Sequence, residues 1–476
     1  MPRILEMTPL NIYRENKFFI LFQMVVLLIE LTDYASVMYD VDFFIIQSSY
    51  TWLFIFLFIS IVYILKYRIK ILFCFELFFF AFLCLSIFYK EIVLNSMSAL
   101  SGIKNYYFIF SDTATHRTML VNMLSFSFFC LGASVFNKQK DYSSSESILK
   151  IEPQNKIGMS SAIINTIVWL YIIYLIVFGV VQKWFHYSNE ISDYTNLEVS
   201  YITILLLTST VIELVRLNQL GVHGKIRFIQ KVNKFYISSV LFIGMVLLLS
   251  GNRNEALLVI FPLVAGYSIL IQRISNKSFI FLLLIGIPLM MIIGFTRNDS
   301  NSALIGDNLY ENTRDFAPSY ACTNYLIEKT DAQGAIGFGN SIVAIASSIP
   351  FLGSSVKAAF DIESAERSTV FTTKGLNYSH VNTGLGTSLI GDLYYTGNIY
   401  FTLIYMFLFG CFISYLHQRF YVKKDFNIWL FVIFLFLFSN VVYCVRAEWT
   451  MPFRYVGFSL LLLAFTKLFD LGLVKS

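Results

Sequence analysis

The apolar runs of this chain decide what it can fold into. Twelve segments, at residues 18–36, 43–65, 71–89, 118–136, 160–181, 199–215, 235–250, 255–272, 278–295, 391–417, 427–445 and 453–470, are mostly apolar. A bilayer crossing needs roughly 17–25 such residues, and all but 235–250 reach that length. The runs are continuous rather than alternating, so helices are expected and a β-barrel is not. Composition agrees: 57% of residues are hydrophobic, 14% are charged, and Phe alone contributes 49. Soluble domains carry about 25% charged residues, and a soluble fold of this length cannot hide so much apolar surface. The expectation is an all-α polytopic membrane protein with about twelve transmembrane helices. The first run follows Arg3, Arg14 and Lys17, as a signal peptide would. No small-x-small cleavage site follows it, so it reads as an uncleaved helix.

Lys and Arg placement sets the orientation. With the N-terminus in the cytoplasm and the spans alternating, 22 of the 35 cations fall inside and 13 outside, six of the latter in one long loop. Long loops are not weighed by the rule, so the short-loop contrast is 22 to 7, which puts both termini in the cytoplasm. The organisation is then residues 1–295 with nine helices, a large extracytoplasmic loop over 296–390, and residues 391–476 with three more helices. A loop of that size in a compact protein is usually functional. Within it, SIVAIASSIPFLG (Ser341–Gly353) is apolar but too short to span. It is expected to lie in the membrane interface, to re-enter, or to form a buried loop helix. The polar stretch 137–156 reads as a linker.

Seven of the 13 outer cations are Arg: Arg117, Arg253, Arg297, Arg314, Arg367, Arg446 and Arg454. Arg presents a fork that suits bidentate contact with phosphate. A phosphate or pyrophosphate on an extracytoplasmic lipid would account for cations on the disfavoured side. The alternative is local pairing, Arg253 with Glu255 and Arg446 with Glu448, or snorkelling to headgroups. Three of the five His (His116, His186, His380) are also outside. His380 stands before a Gly- and Tyr-rich helix entry and has a pKa suited to a general base. Asp392 and Glu448 are candidates for a base or a sugar-binding carboxylate. Tyr394 and Tyr395 suit sugar faces, while Gly384, Gly386, Gly391 and Gly397 are better explained by helix packing. Asp392 at a helix start can also be a cap.

Several signatures are missing from the sequence. It has no Walker motif, GxGxxG, GxSxG, HExxH or CxxC. No metal and no cofactor are expected, and no nucleic-acid partner. No acid is expected at the centre of a span: Glu30 and Asp33 are placed at the end of the first run, and Glu76 and Glu213 near cytoplasmic ends. That argues against an ion-coupled transporter.

Two segments resemble a known family, the Wzy-type polymerases that build O-antigen or capsule from oligosaccharide repeat units. SGNRNEALLV (Ser250–Val259) is similar to the family's Gly-x-Arg element after the seventh span. GTSLIGDLYYTGNIYFTLIYMFLFG (Gly386–Gly410) resembles its Gly-x-Ser…Glu-x-Tyr…Phe-Gly element after the large loop. The sequence departs from the pattern at Asp392, where Glu is expected, at Thr396, where Phe is common, and at Asn252 and Asn254 around Arg253. The resemblance implies a GT-C-like architecture in the bacterial cytoplasmic (inner) membrane. It implies transfer of a glycan from undecaprenyl pyrophosphate to the sugar hydroxyl of a new lipid-linked repeat unit. Arg253, Arg297, Arg314, Arg367, Arg446 and Arg454 would hold the pyrophosphate, and His380, Asp392 or Glu448 would act as base. Tyr394 and Tyr395 would meet sugar. The partners are the lipid-linked glycan, the bilayer and a possible chain-length regulator. An O-antigen ligase shares the topology and loop position, and a lipid-linked oligosaccharide flippase is the transporter alternative. Flippases tend to lack a large loop, and a membrane acyltransferase would want a His deep in a span.

Overall fold

The structure is a computed structural model of the full chain. It describes residues 9–39, 44–96, 110–136, 149, 151, 158–185, 193–250, 253–297, 316–349, 352–360, 367–376 and 386–472. Among these the regular structure is helical. The main helices are α1 (Pro9–Met38), α2 (Ser49–Tyr67), α3 (Phe75–Ile87), α4 (Asp112–Phe136), α5 (Gly158–Val177), α6 (Asp193–Gln219), α7 (Lys234–Leu249) and α8 (Arg253–Leu270). They continue as α9 (Asn276–Arg297), α10 (Ala317–Gln333), α11 (Gly339–Ala346), α12 (Leu352–Ala359), α13 (Ser368–Gly375), α14 (Leu389–His417), α15 (Ile428–Ser439) and α16 (Met451–Gly472).

Each of the twelve apolar segments carries a helix, but the helices are unequal. Among the described residues, six are long and apolar enough to cross a membrane: Lys17–Met38, Ser49–Tyr67, Asp112–Phe136, Ser160–Val177, Glu198–Gln219 and Leu389–Lys423. A seventh counts if the short helix Lys225–Lys231 and α7, bent by 101°, form one span. Helix α3 covers only 13 residues and α15 only 12. Asn440 ends α15, and the single turn Tyr443–Arg446 follows it. The apolar run 427–445 is therefore a broken element rather than one continuous helix.

Large apolar side chains stay exposed on the outward faces, among them Phe18, Phe54, Leu170, Val177, Phe281 and Leu284. A face of this kind is stable only against lipid. Two helices are enclosed on most sides, α4 (78% buried) and α6 (72%), and the rest group around them. Helices α1, α2, α10 and α14 pack on α4, while α5, α7, α8, α15 and α16 pack on α6. Close approach of α4 and α14 depends on two glycines. A Cβ on Gly132 would stand 2.0 Å from the Phe407 carbonyl oxygen, and one on Gly410 would stand 2.1 Å from that of Phe129. Only small residues permit such backbone contact. Phe75, Phe79, Phe129 and Phe409 fill the space beside it with ring centroids 4.9–6.0 Å apart.

Buried charges are held in pairs or by hydrogen bonds. Arg68, counted from sequence as a loop cation, is 1% exposed and bonded to the equally buried Glu76. Glu213 accepts from Ser161, Arg216 and the Asn233 amide at 2.6–3.0 Å. Glu30 corrects the expectation that it sits at the end of the first run. It lies well inside the span Lys17–Met38, fully buried, and accepts a hydrogen bond from Ser127 of α4 at 2.8 Å. Hydropathy averages over a window and so misses a single carboxyl that a neighbouring helix solvates.

The long loop is helical where it is described. Helix α10 packs on the first turns of α14 and on α4 and thereby marks one end of the bundle, the loop end. The apolar piece Ser341–Gly353 divides between the two short helices α11 and α12. Ser348 touches Gly457 of α16, yet Ile342, Ile349 and Leu352 are 40–51% exposed. The segment is therefore part packed and part open, as an interfacial helix would be.

Candidate functional site

At the loop end, the start of α14 is fixed by its neighbours. Ser388 caps the helix by accepting from the Gly391 amide (3.0 Å), and Thr323 of α10 donates to the same hydroxyl at 2.6 Å. A Cβ on Gly391 would come within 3.2 Å of the Thr323 Cα, so glycine sets how closely α10 approaches. Seven residues on, the helix breaks. Asn398 has φ +64°, a region costly for a side-chain-bearing residue and best tolerated by Asn. The Asn398 side chain accepts from the Ile399 amide at 2.8 Å. The amides of Ile336 and Gly337, between α10 and α11, donate to the carbonyls of Tyr395 and Thr396, both at 3.0 Å. The loop thus occupies carbonyls near the break, and the two features support each other.

Asp392, in the first turn of α14, is buried and accepts from the backbone amide of Trp449 at 2.8 Å. That bond pulls the segment before α16 against α14 and places Glu448, one residue earlier, beside it. Glu448 accepts from the Thr369 hydroxyl of α13 at 2.9 Å. It is the one charged residue among the described walls of a cavity of about 190 Å³, otherwise lined by groups such as Leu389, Tyr405, Phe409, Cys444 and Phe453. Arg446, two residues before Glu448, lies over the Phe316 ring with its guanidinium carbon 5.2 Å from the centroid. Burial pushes the nearby Cys322 thiol up to about 12, against a hydrogen bond from Thr372 and the Arg446 charge, so this cysteine is no nucleophile.

The two tyrosines divide. Tyr395 is buried and stacked on Phe371 of α13 at 5.1 Å, which makes it a wall. The Tyr394 hydroxyl donates to Asp331 of α10 at 2.7 Å and lies 3.3 Å from the Tyr34 hydroxyl of α1. Asp331 is also paired with Arg117 of α4 at 2.8 Å. Burial raises the Asp331 carboxyl, opposed by the Tyr394 hydrogen bond and the Arg117 charge. Four helices therefore meet at one carboxylate. Sequence reasoning counted Arg117 as an outer cation but had no signal for Asp331, an ordinary acid in a polar helix.

Among the other expected residues, Arg367 is exposed at the N-cap of α13, two residues from the Thr369 that reaches Glu448. Arg253 opens α8, Arg297 closes α9 and Arg454 sits in the first turn of α16, their backbone positions alone being described. His380 and Arg314 lie outside the described residues. Glu255, the expected partner of Arg253, accepts from the Tyr443 hydroxyl at 2.8 Å. It lines a second cavity of about 310 Å³ with Ser200, Thr203, Asn440 and Tyr455.

Lipid-facing helices and a polar cluster at one end define a multi-pass membrane protein with a site where a polar group and an apolar chain could meet. The family comparison is more specific. The family model for the O-antigen polysaccharide polymerase Wzy matches residues 18–470, nearly the whole chain, and the chain belongs to that family. No curated protein and no solved structure matches.

Proposed function

We propose that the protein joins undecaprenyl-pyrophosphate-linked repeat units into surface polysaccharide on the extracytoplasmic face of the bacterial cytoplasmic membrane, with twelve spans and the loop end outside. The observation that carries this reading is the 190 Å³ cavity: apolar walls suited to an isoprenoid chain, and one carboxylate, Glu448, in its lining. A lipid-linked sugar has that same division between an apolar tail and a polar head.

In the reaction, the acceptor sugar hydroxyl attacks the anomeric carbon of the donor glycan. The bond from that carbon to the pyrophosphate oxygen breaks, and undecaprenyl pyrophosphate leaves with the electron pair. Glu448, which faces the cavity, takes the hydroxyl proton. Asp392 is a positioning residue, because its carboxylate is engaged by the Trp449 amide and fixes the backbone beside Glu448. Arg446 is the described cation placed to offset charge on the departing pyrophosphate. Arg253, Arg297, Arg314, Arg367 and Arg454 are further candidates for that role, His380 for the base, and Tyr394 and Tyr395 for the sugar contact. Pyrophosphate needs no protonating acid to leave, so one base and a set of cations suffice.

The test is complementation of a host lacking the gene, with surface glycan run on a gel. Wild type should restore a ladder, and Arg446→Ala should leave single repeat units while the protein stays in the membrane. A full ladder from Arg446→Ala would remove the phosphate role. Polymer stranded on its lipid carrier in the deletion strain would point to a ligase instead.

A further inference from the structure

A third and larger cavity, of about 410 Å³, opens at the loop end between the α1–α2 connection, the end of α3 and the first turns of α4. Its volume lies in the range of small-molecule sites, roughly 300–1,000 Å³. Its lining differs in kind from the apolar cavity beside Glu448. Gln47, Asn95 and Asn122 contribute amides, Glu91 and Asp112 carboxyls, and Lys90 an ammonium. One stripe of α4, Asp112, Thr115, His116, Met119 and Asn122, runs down the wall at helical spacing.

Two polar atoms in this lining have no hydrogen-bond partner among the described residues, the Thr118 hydroxyl and His116 Nε2. Thr118 is 2% exposed, so its hydroxyl is withdrawn from bulk water. The His116 ring is held edge-on against Phe44, with centroids 5.1 Å apart at 85°. Buried polar groups are normally satisfied, and unmet donors and acceptors in a cavity wall mark a place for a polar occupant. Amides and carboxyls, which bond paired hydroxyls, together with the Tyr320 and Phe44 rings, suit a sugar.

The position adds a second argument. Phe316, which caps α10, meets the Arg446 guanidinium, and Tyr320, about one turn further on in α10, lines the polar cavity. We propose that this cavity is a glycan subsite that seats sugar residues of a lipid-linked repeat unit, through hydrogen bonds from Thr118, His116 and Asn122. It rests on the polymerase reading above and deepens it. The apolar cavity takes the lipid, and the polar one takes sugar held beyond it.

The test uses purified full-length protein in detergent and the host's own repeat-unit oligosaccharide, released from its lipid, as probe. Titration followed by NMR should show binding to wild type and affinity weakened about three- to tenfold in Thr118→Val and in Asn122→Leu, the effect of one lost hydrogen bond. Thr118→Val removes a hydroxyl that has no described partner, so its melting temperature should match wild type and misfolding would not explain the loss. Equal affinity in wild type and both variants, or no binding by wild type, overturns the subsite. Turnover of lipid-linked repeat units is measured separately, and KM should rise by the same factor in the variants. Unchanged KM overturns the subsite while leaving the polymerase intact. Oligosaccharide binding without any wild-type turnover keeps the subsite and sinks the polymerase.

Discussion

Helix α14 has two unlike halves, divided at Gly397 and Asn398. Before the break it carries Asp392, Tyr394 and Tyr395, whose side chains reach the Trp449 amide, Asp331 and Phe371 on three other parts of the chain. After the break it carries Met406, Phe409, Gly410 and Ile413, buried against α4 with backbone nearly touching backbone. Carboxylates are expensive to bury without partners. The packed half fixes α14 on α4 through dispersion and close contact, so the polar half can hold charged groups in set positions. If this division is correct, damage to the first half should remove activity and spare the fold, and damage to the second should do the reverse.

The largest expected effect is at Glu448. Glu448→Gln keeps the shape and removes the base, so polymerisation should fall by about 10²- to 10⁴-fold with protein levels and melting temperature unchanged. Initial rates with lipid-linked repeat units measure this. A rate within threefold of wild type would move the base elsewhere, to His380 first.

Next is the buried pair remote from the site. Glu76→Gln leaves Arg68 enclosed without its counter-charge, which should cost about 3–5 kcal/mol, read as a fall in melting temperature and in membrane-inserted protein. The double change Arg68→Met with Glu76→Leu should be milder than Glu76→Gln alone, since two apolar groups need no counter-charge. Equal losses in the two would show that the pair, not charge burial, matters there.

Gly410→Ala tests the packed half directly. The new Cβ meets the Phe129 carbonyl, and helices must separate, at about 1–3 kcal/mol. Melting temperature should drop while turnover per folded molecule holds. Lost turnover in fully folded protein would mean that the two halves of α14 are not separable.

Much of this arrangement was legible in the sequence, and the omissions have physical causes. The segment Gly386–Gly410 announced itself because glycine, tyrosine and an acid at a helix start are unusual in an apolar chain. The places of the helices followed from hydropathy, but α3 and α15 came out short, because hydropathy does not register where a helix ends inside a protein-lined region. Arg68 counts as an inner-loop cation by sequence and is a core residue in space, since the rule reads charge and not burial. Asp331 gave no signal at all: its role comes from helices α1, α4 and α14 converging on it, and convergence is a tertiary fact.

The smallest predicted effect belongs to that same Asp331. Its carboxyl is raised by burial above the ordinary Asp value of about 3.9. An acid with a raised folded pKa binds more protons folded than unfolded between the two values, so it favours folding at low pH and loses that contribution as pH rises through the folded value. Wild type should therefore show a melting temperature with a downward component across that interval, and Asp331→Asn should flatten it. The variant also removes the Arg117 pair and the charged acceptor of Tyr394. At neutral pH the lost pair and the relieved carboxylate burial should nearly offset, leaving a net change of about 1 kcal/mol or less. An unchanged slope in Asp331→Asn would mean that this carboxyl titrates as an ordinary surface group. The polar half of α14 would then be held by Asp392 and the Trp449 amide, without the four-helix junction.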